Sequence, residues 1–235
     1  MINNKKVHVI IPARGGSKGI HRKNLCRIGD DTLVEKAIKL AKACAYVDQI
    51  HVSTDDNEIY EIAQKHNVNT PSLRPPHLST DTARTLDVVI ELFEEMQIRD
   101  VYILLLQPTT PLRTLEEMNI LFKTLKENLN NADAIVSVTF HDSPHPNKIQ
   151  KIENGYLVSY LGLDSSLPRQ TLPKVYTLNG AFYLTHLNIL KTMHTFIPPR
   201  TLPFIMPPEH SINIDSEIDL IIAEYYLKKN MNNAL

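Results

Sequence analysis

Apolar residues recur along the chain at two spacings, and the switching between them predicts the fold. Val7-His-Val-Ile-Ile11 is a β-branched run ended by Pro12, which reads as a buried strand entering a Gly-containing loop. From Thr32 to Cys44, Leu33, Ala37, Leu40, Ala41 and Cys44 fall on one helical face, and Gln49-Ile-His-Val-Ser53 follows as a second strand. Helices are predicted over 57–66 and 82–96, and the apolar run Val101–Leu106 is short enough to be a central strand. A helix over 116–129 and a strand over 134–139 continue the alternation. This order predicts an α/β fold: a mainly parallel sheet with helices on both faces.

Between His141 and Tyr176 the pattern breaks into short polar and Pro-containing pieces, such as Ser143-Pro-His-Pro146 and Leu167-Pro-Arg-Gln-Thr-Leu-Pro173. Residues 141–176 are therefore expected to be an inserted subdomain or dimer arm, a role its apolar Tyr156, Leu161 and Leu163 suit, with 1–140 and 177–235 forming the main domain. Gly180-Ala-Phe-Tyr-Leu184 returns to strand character. Asp215 to Lys229 is predicted as a closing amphipathic helix with Ile218, Ile221, Ile222 and Tyr225 on its apolar side.

Composition narrows the function classes. The 235 residues carry 25 basic and 26 acidic side chains, a formal charge of −1, so no global positive field drives nucleic-acid binding and any anion site must be local. Two cysteines, Cys26 and Cys44, are too few for a disulfide framework, and a reducing cytoplasm is the expectation. No segment reaches the apolar length of a membrane span, and the run after the basic N-terminus is too short for an export signal.

The local anion site is predicted in Pro12-Ala-Arg-Gly-Gly-Ser-Lys-Gly-Ile-His-Arg-Lys-Asn24, which holds three of the seven glycines and four basic residues directly after the first strand. Glycines let backbone N–H groups approach an anion, Ser17 donates a hydrogen bond, and Arg14, Lys18 and Lys23 supply charge. A polyphosphate fits this chemistry, and loops at the carboxyl ends of strands are where open α/β sheets bind ligands. The loop has neither the P-loop spacing nor the Gly-x-Gly-x-x-Gly dinucleotide fingerprint. A solvated basic turn is the bland alternative.

Ile11-Pro-Ala-Arg-Gly-Gly-Ser-Lys-Gly-Ile20 with Arg22-Lys-Asn24 resembles the signature of the CMP-sialic acid synthetases, the acylneuraminate cytidylyltransferases. Six further pieces match that family in order: Ser53-Thr-Asp-Asp56, Leu73-Arg-Pro-Pro76 with Ser79-Thr-Asp-Thr82, Leu106-Gln-Pro-Thr-Thr-Pro-Leu-Arg113, Pro168-Arg-Gln170, Asn179-Gly-Ala-Phe-Tyr183, and Ile212-Asn-Ile-Asp-Ser-Glu-Ile-Asp219. The resemblance covers nearly the whole chain and implies a Rossmann-like nucleotidyltransferase fold. The implied activity joins CTP to an acidic nine-carbon nonulosonic sugar of the N-acylneuraminate or legionaminic kind, releasing pyrophosphate. Kdo or pseudaminate as acceptor, or a non-catalytic nucleotide-binding regulator, are the alternatives.

By the same resemblance Ala13, Arg14, Gly15, Ser17, Lys18, Lys23 and Asn24 contact the triphosphate and ribose, and Arg74, Ser79, Thr80 and Asp81 receive the cytosine through backbone groups. Arg74 reads alternatively as a surface residue before Pro75. Gln107, Lys148, Arg169, Asn179, Tyr183 and Phe196 are implied on the sugar, an Arg fork suiting a carboxylate. Gln107 reads alternatively as a strand-end cap, and Phe196 equally as ordinary core. Asp215 and Asn213 resemble the acidic Mg²⁺ motif, with Asn213 where the family often has Asp; Asp215 also reads as a helix N-cap. Arg14, Lys23 and Asp215 are the expected catalytic residues, positioning and neutralising charge, and a homodimer is the expected assembly. A zinc site at His141 and His145 lacks further ligands in the sequence.

Overall fold

The computed structural model describes residues 1–233. Strand β1 (Val7–Pro12) leads through the loop and a small β2 (Arg27–Ile28) and β3 (Asp31–Thr32) hairpin into helix α1 (Leu33–Ala43), followed by β4 (Gln49–Ser53) and α2 (Asn57–Lys65). Next come α3 (Thr85–Glu95), β5 (Tyr102–Leu105), α4 (Leu115–Glu127) and β6 (Ala134–His141). A hairpin of β7 (Gln150–Glu153) and β8 (Tyr156–Ser159) precedes β9 (Val175–His186), α5 (Leu187–Met193), β10 (Thr201–Met206) and α6 (Glu217–Asn233). Helices α1 and α4 start at reciprocal capping boxes, Thr32 with Glu35 and Thr114 with Glu117, so their first turns are fixed by local sequence.

Six strands form one sheet in the order β10-β6-β9-β5-β1-β4. Strand β9 runs antiparallel to both its neighbours, and the remaining pairs are parallel. The period-2 alternation sorts side chains between two cores. Val7, Val9 and Ile11 of β1 and Leu104 of β5 pack with α1, α2 and α4, whereas Ile10, Ile103 and Leu105 pack with α3 and α5. Both faces are covered, as the alternating pattern predicted. In the second core His8 and His51 stack as a buried pair, His8 Nδ1 lying 2.9 Å from His51 Nε2, and Phe93 meets both rings edge-on.

Two features differ from the sequence expectation. Beyond a bulge between Val136 and Val138 the β6–β9 pairing resumes at Val138–His141 with Val175–Leu178, and its last part, Phe140–His141 with Val175–Tyr176, extends past β10 as a two-stranded ribbon from which the β7–β8 hairpin departs. The Asn154-Gly155 turn takes positive φ at both residues, as a tight hairpin requires. The second is a correction to α6: Leu220, Ala223, Tyr226 and Leu227 pack inward on Ile28, Leu33 and Leu112, while Ile218, Ile221, Ile222 and Tyr225 face outward and are exposed. The helix has apolar residues on two sides, so spacing alone does not choose the buried one.

Candidate functional site

Strands β1, β4 and β5 end on the same edge of the sheet, and the segments leaving them enclose an open cleft of about 380 Å³, a volume ordinary for a small-molecule site. Arg14, Ser17, Lys23 and Asn24 from the loop line one wall; Arg74, Thr80 and Asp81 line another. Gln107, Asn213 and Asp215 close the far end.

The loop is fastened from below by the Ser53-Thr-Asp-Asp56 segment. Ala13 N donates to Ser53 O at 2.9 Å, prolonging the β1–β4 pairing, and Gly15 N donates to Asp55 Oδ1 at 2.8 Å. Asp56 caps α2 by accepting from Glu58 N and Ile59 N, and it also receives Arg22 Nη2 on both oxygens. Those donors hold the Asp56 carboxyl below its ordinary range despite burial. A Cβ at Gly15 would lie 2.8 Å from Asp56 Oδ2, and one at Gly19 would collide with the Asp215 carbonyl oxygen. Close approach to two neighbouring segments therefore demands glycine at both positions. Asn24 is buried and donates to Arg14 O, so it anchors the loop backbone.

Every basic residue of the loop faces a carboxylate. Arg22 pairs with Asp56 and Glu58, Lys23 Nζ lies 2.8 Å from Asp215 Oδ1, and Arg14 and Lys18 share Asp81 at 2.8 and 3.0 Å. Arg74 is not a surface residue: it is half-buried, donates through Nε to Ser53 Oγ and through Nη2 to Ser53 O, and burial lowers its pKa to about 10, leaving it cationic at neutral pH. Ser79 donates to Pro75 O and fixes the turn beneath the Thr80 wall.

At the far end, Gln107 stands over Gly180, whose φ of +75° and whose missing Cβ, 2.6 Å from Gln107 Oε1, leave room for the amide. Asn213 Nδ2 donates to Asp215 Oδ2 at 2.6 Å, so both residues point the same way, as alternate residues should. Asp215 is not the helix cap. Its carboxylate takes Lys23 Nζ and Asn213 Nδ2, while Asp219, inside the first turn of α6, accepts from Asp215 N, Ser216 N and Ser216 Oγ, which leaves the Asp215 carboxylate to the cleft. One carboxylate and one amide oxygen are a sparse donor set, and no cluster of three His, Cys, Asp or Glu side chains suited to a metal occurs among the described residues. Such a set fits Mg²⁺, which keeps waters and takes further oxygens from a bound phosphate.

The other residues expected on the sugar lie elsewhere. Asn179 is buried, its amide joined to Ser137, Ala181 and Ser211, so it anchors β9 beside the bulge. Tyr183 and Phe196 meet edge-on at 5.8 Å against the second core, and burial raises the Tyr183 pKa. Lys148 and Arg169 sit on the arm: Lys148 donates to Ser165 O and Leu167 O, and Arg169 pairs with Asp142. His141 and His145 both contact backbone carbonyls, of Pro144 and Pro173.

One residue beneath the cleft had no assigned role in the sequence. Arg113 is buried, and its Nη1 donates to Gln107 O and Ala181 O; among the described residues it meets no carboxylate and its Nη2 has no hydrogen-bond partner. Burial lowers its pKa to about 9. Its side chain therefore fixes the backbone of the Gln107 turn from beneath and leaves a positive charge there. The Leu106–Arg113 motif contained it, but only the tertiary structure shows that its guanidinium points inward.

A sequence model described as cytidylyltransferase matches residues 8–155. The CMP-N,N'-diacetyllegionaminic acid synthase of Legionella pneumophila is 30% identical over 231 residues, covering 96% of this chain and 97% of that protein. The N-acylneuraminate cytidylyltransferase of Streptococcus agalactiae serotype V is also 30% identical, over 90% of this chain, which spans about half of that protein's length, 51%. The solved structure of CMP:2-keto-3-deoxy-manno-octonic acid synthetase complexed with CTP shares the fold with a TM-score of 0.69 at 14% identity, covering 96% of this chain and all of that one.

Proposed function

The chain belongs to the cytidylyltransferase family, and from that premise we propose that it transfers CMP from CTP to an acidic nonulosonic sugar, giving the CMP-sugar and pyrophosphate. The observation that carries this reading is the convergence of Arg14, Lys23 and Arg74 with Gln107 and Asp215 in one cleft at the carboxyl edge of the sheet. Cations at one end suit a triphosphate, and a neutral amide at the other suits the hydroxyls of an acceptor.

In the proposed reaction the anomeric hydroxyl of the sugar attacks the α-phosphorus of CTP, its proton leaves to solvent or to a nearby carboxylate, and pyrophosphate departs. Phosphoryl transfer of this kind depends on position and charge neutralisation. Arg14 and Lys23 hold the phosphates, the backbone of residues 79–81 beside Arg74 meets the cytosine, and Gln107 orients the acceptor. Asp215 with Asn213 holds Mg²⁺, which when bound supplies additional positive charge to the phosphates. The near full-length similarity to the legionaminic acid synthase favours a nine-carbon acceptor over the eight-carbon one.

We read the assembly as a homodimer in which the arm is covered by a second copy. Ile152, Tyr156 and Leu157 are each about three-quarters exposed, an apolar patch that water disfavours. Lys148 and Arg169 then act on the sugar carboxylate of the partner's cleft. No described helix is long and apolar enough to cross a membrane, and a cytoplasmic site of action is part of this reading.

Product analysis by mass after incubation with Mg²⁺, CTP and a panel of sialic, legionaminic, pseudaminic and Kdo acids tests the proposal. A CMP-nonulosonate with equimolar pyrophosphate is expected. No pyrophosphate from any acceptor overturns the enzymatic reading, and turnover of Kdo alone overturns the acceptor.

A further inference from the structure

Asp81 differs from the other carboxylates that face the loop. Asp56 is built into the cap of α2, and Asp215 is tied to Asn213. The partners of the Asp81 carboxylate are the two loop cations: Oδ1 lies 2.8 Å from Arg14 Nη2 and Oδ2 lies 3.0 Å from Lys18 Nζ. Those two cations hold its pKa below the ordinary carboxylate range, so it is charged at neutral pH. It stands on the turn between Leu78 and α3, in a cleft wall, with its side chain 42% exposed. One oxygen per cation is the arrangement in which adjacent oxygens of a phosphate chain would meet Arg14 and Lys18.

We propose that Asp81 is an internal counter-anion of the phosphate loop, holding Arg14 and Lys18 in the place where polyphosphate oxygens bind and giving them up when a polyphosphate arrives. The inference rests on the reading of residues 12–24 as the CTP phosphate cradle. Charge alone has two consequences here. A ligand must bring enough negative charge to outcompete a tethered carboxylate, so Asp81 weakens every polyphosphate ligand and disfavours weakly charged ones. The same carboxylate re-forms its pairs as pyrophosphate leaves, which speeds product release. Both ion pairs are partly exposed, so each contributes little, and the net effect on affinity is about three- to tenfold.

Asp81→Asn keeps the shape and removes the charge. Calorimetric titration with inorganic pyrophosphate and with CTP, both with Mg²⁺ and without any sugar, is expected to show binding about three- to tenfold tighter than in the parent protein. The gain should shrink as KCl is raised, because screening weakens exposed ion pairs. Glu127→Gln, which removes the same charge at the last residue of α4, is expected to leave both affinities unchanged. A merely structural role predicts looser binding in Asp81→Asn, since the turn would lose its fastening. Unchanged or weaker binding of both ligands by Asp81→Asn, with the parent protein binding them, overturns the counter-anion while leaving the proposed function standing. No binding of CTP or pyrophosphate to the parent protein overturns both.

Discussion

The loop at residues 12–24 and the arm at residues 141–176 both carry basic side chains that sequence resemblance assigns to anions, yet they are built in opposite ways. The loop rests on a buried strand pair; Gly15, Gly19 and Arg22 are locked against Asp55, Asp56 and the Asp215 backbone, and Asn24 ties the loop to its own backbone at Arg14. The arm is a ribbon and a hairpin whose Ile152, Tyr156 and Leu157 lie in water, with Lys148 and Arg169 bonded to its own carbonyls and carboxylate. The difference teaches that the loop's cations are placed in the cleft by contacts within one chain, whereas Lys148 and Arg169 lie outside its lining; on the proposed reading, a second copy would have to bring them to a substrate.

The largest effect should come from the loop. Arg14→Ala is expected to lower the rate of pyrophosphate release on the order of 10²–10³-fold, because a preorganised charge opposite a phosphoryl group is lost. Its melting temperature should barely move, since the Arg14 guanidinium forms a partly exposed ion pair with Asp81 at the cleft wall. Unchanged turnover would break the contrast at once.

Acid should act on the sheet beneath the loop. Burial lowers the pKa of His8 to about 4, with help from the Lys6 charge, and burial together with the charge of His8 lowers that of His51 to about 4. The folded chain refuses protons that the unfolded chain accepts from about pH 6.5 downward. Stability should therefore be flat above neutrality and fall between about pH 6.5 and 4, by a few kcal/mol in all, since a tenfold change in proton affinity corresponds to about 1.4 kcal/mol. Urea midpoints measured across that range check the sign, and replacing both histidines with apolar residues should flatten the curve.

Gly180→Ala probes the junction between the halves. The positive φ and the contact of the new Cβ with Gln107 Oε1 should cost roughly 1–3 kcal/mol of stability. The same change displaces the Gln107 amide, so the KM for the acceptor should rise more than that for CTP, as steady-state kinetics with each substrate varied would show.

Smallest in energy, and most specific to the arm, is Leu157→Asp. It should shift sedimentation from dimer to monomer and raise the acceptor KM several-fold, with CTP affinity unchanged. A dimer that persists, or a loss of CTP affinity with it, would erase the distinction between the two regions.

The β-branched run at Val7–Ile11, the apolar run at Val101–Leu106, the caps at Thr32 and Thr114, and the crowding of glycine and cations after β1 set the α/β layout and the position of the anion loop. These are local properties: periodicity selects an element, a cap starts it, and a strand's carboxyl end presents the loop that leaves it at the sheet edge. Long-range packing decided the rest. Which side of α6 is buried depends on Ile28, Leu33 and Leu112 waiting for it, because Ile218–Tyr225 and Leu220–Leu227 are both apolar stripes. The direction of β9 depends on the ribbon that returns it between β5 and β6. Arg113 lies under Gln107, Asp81 bridges Arg14 and Lys18, and Lys148 stands away from the cleft because segments far apart in sequence meet only after the sheet has closed. A side chain's charge is written in the chain, but its partner is set by the fold.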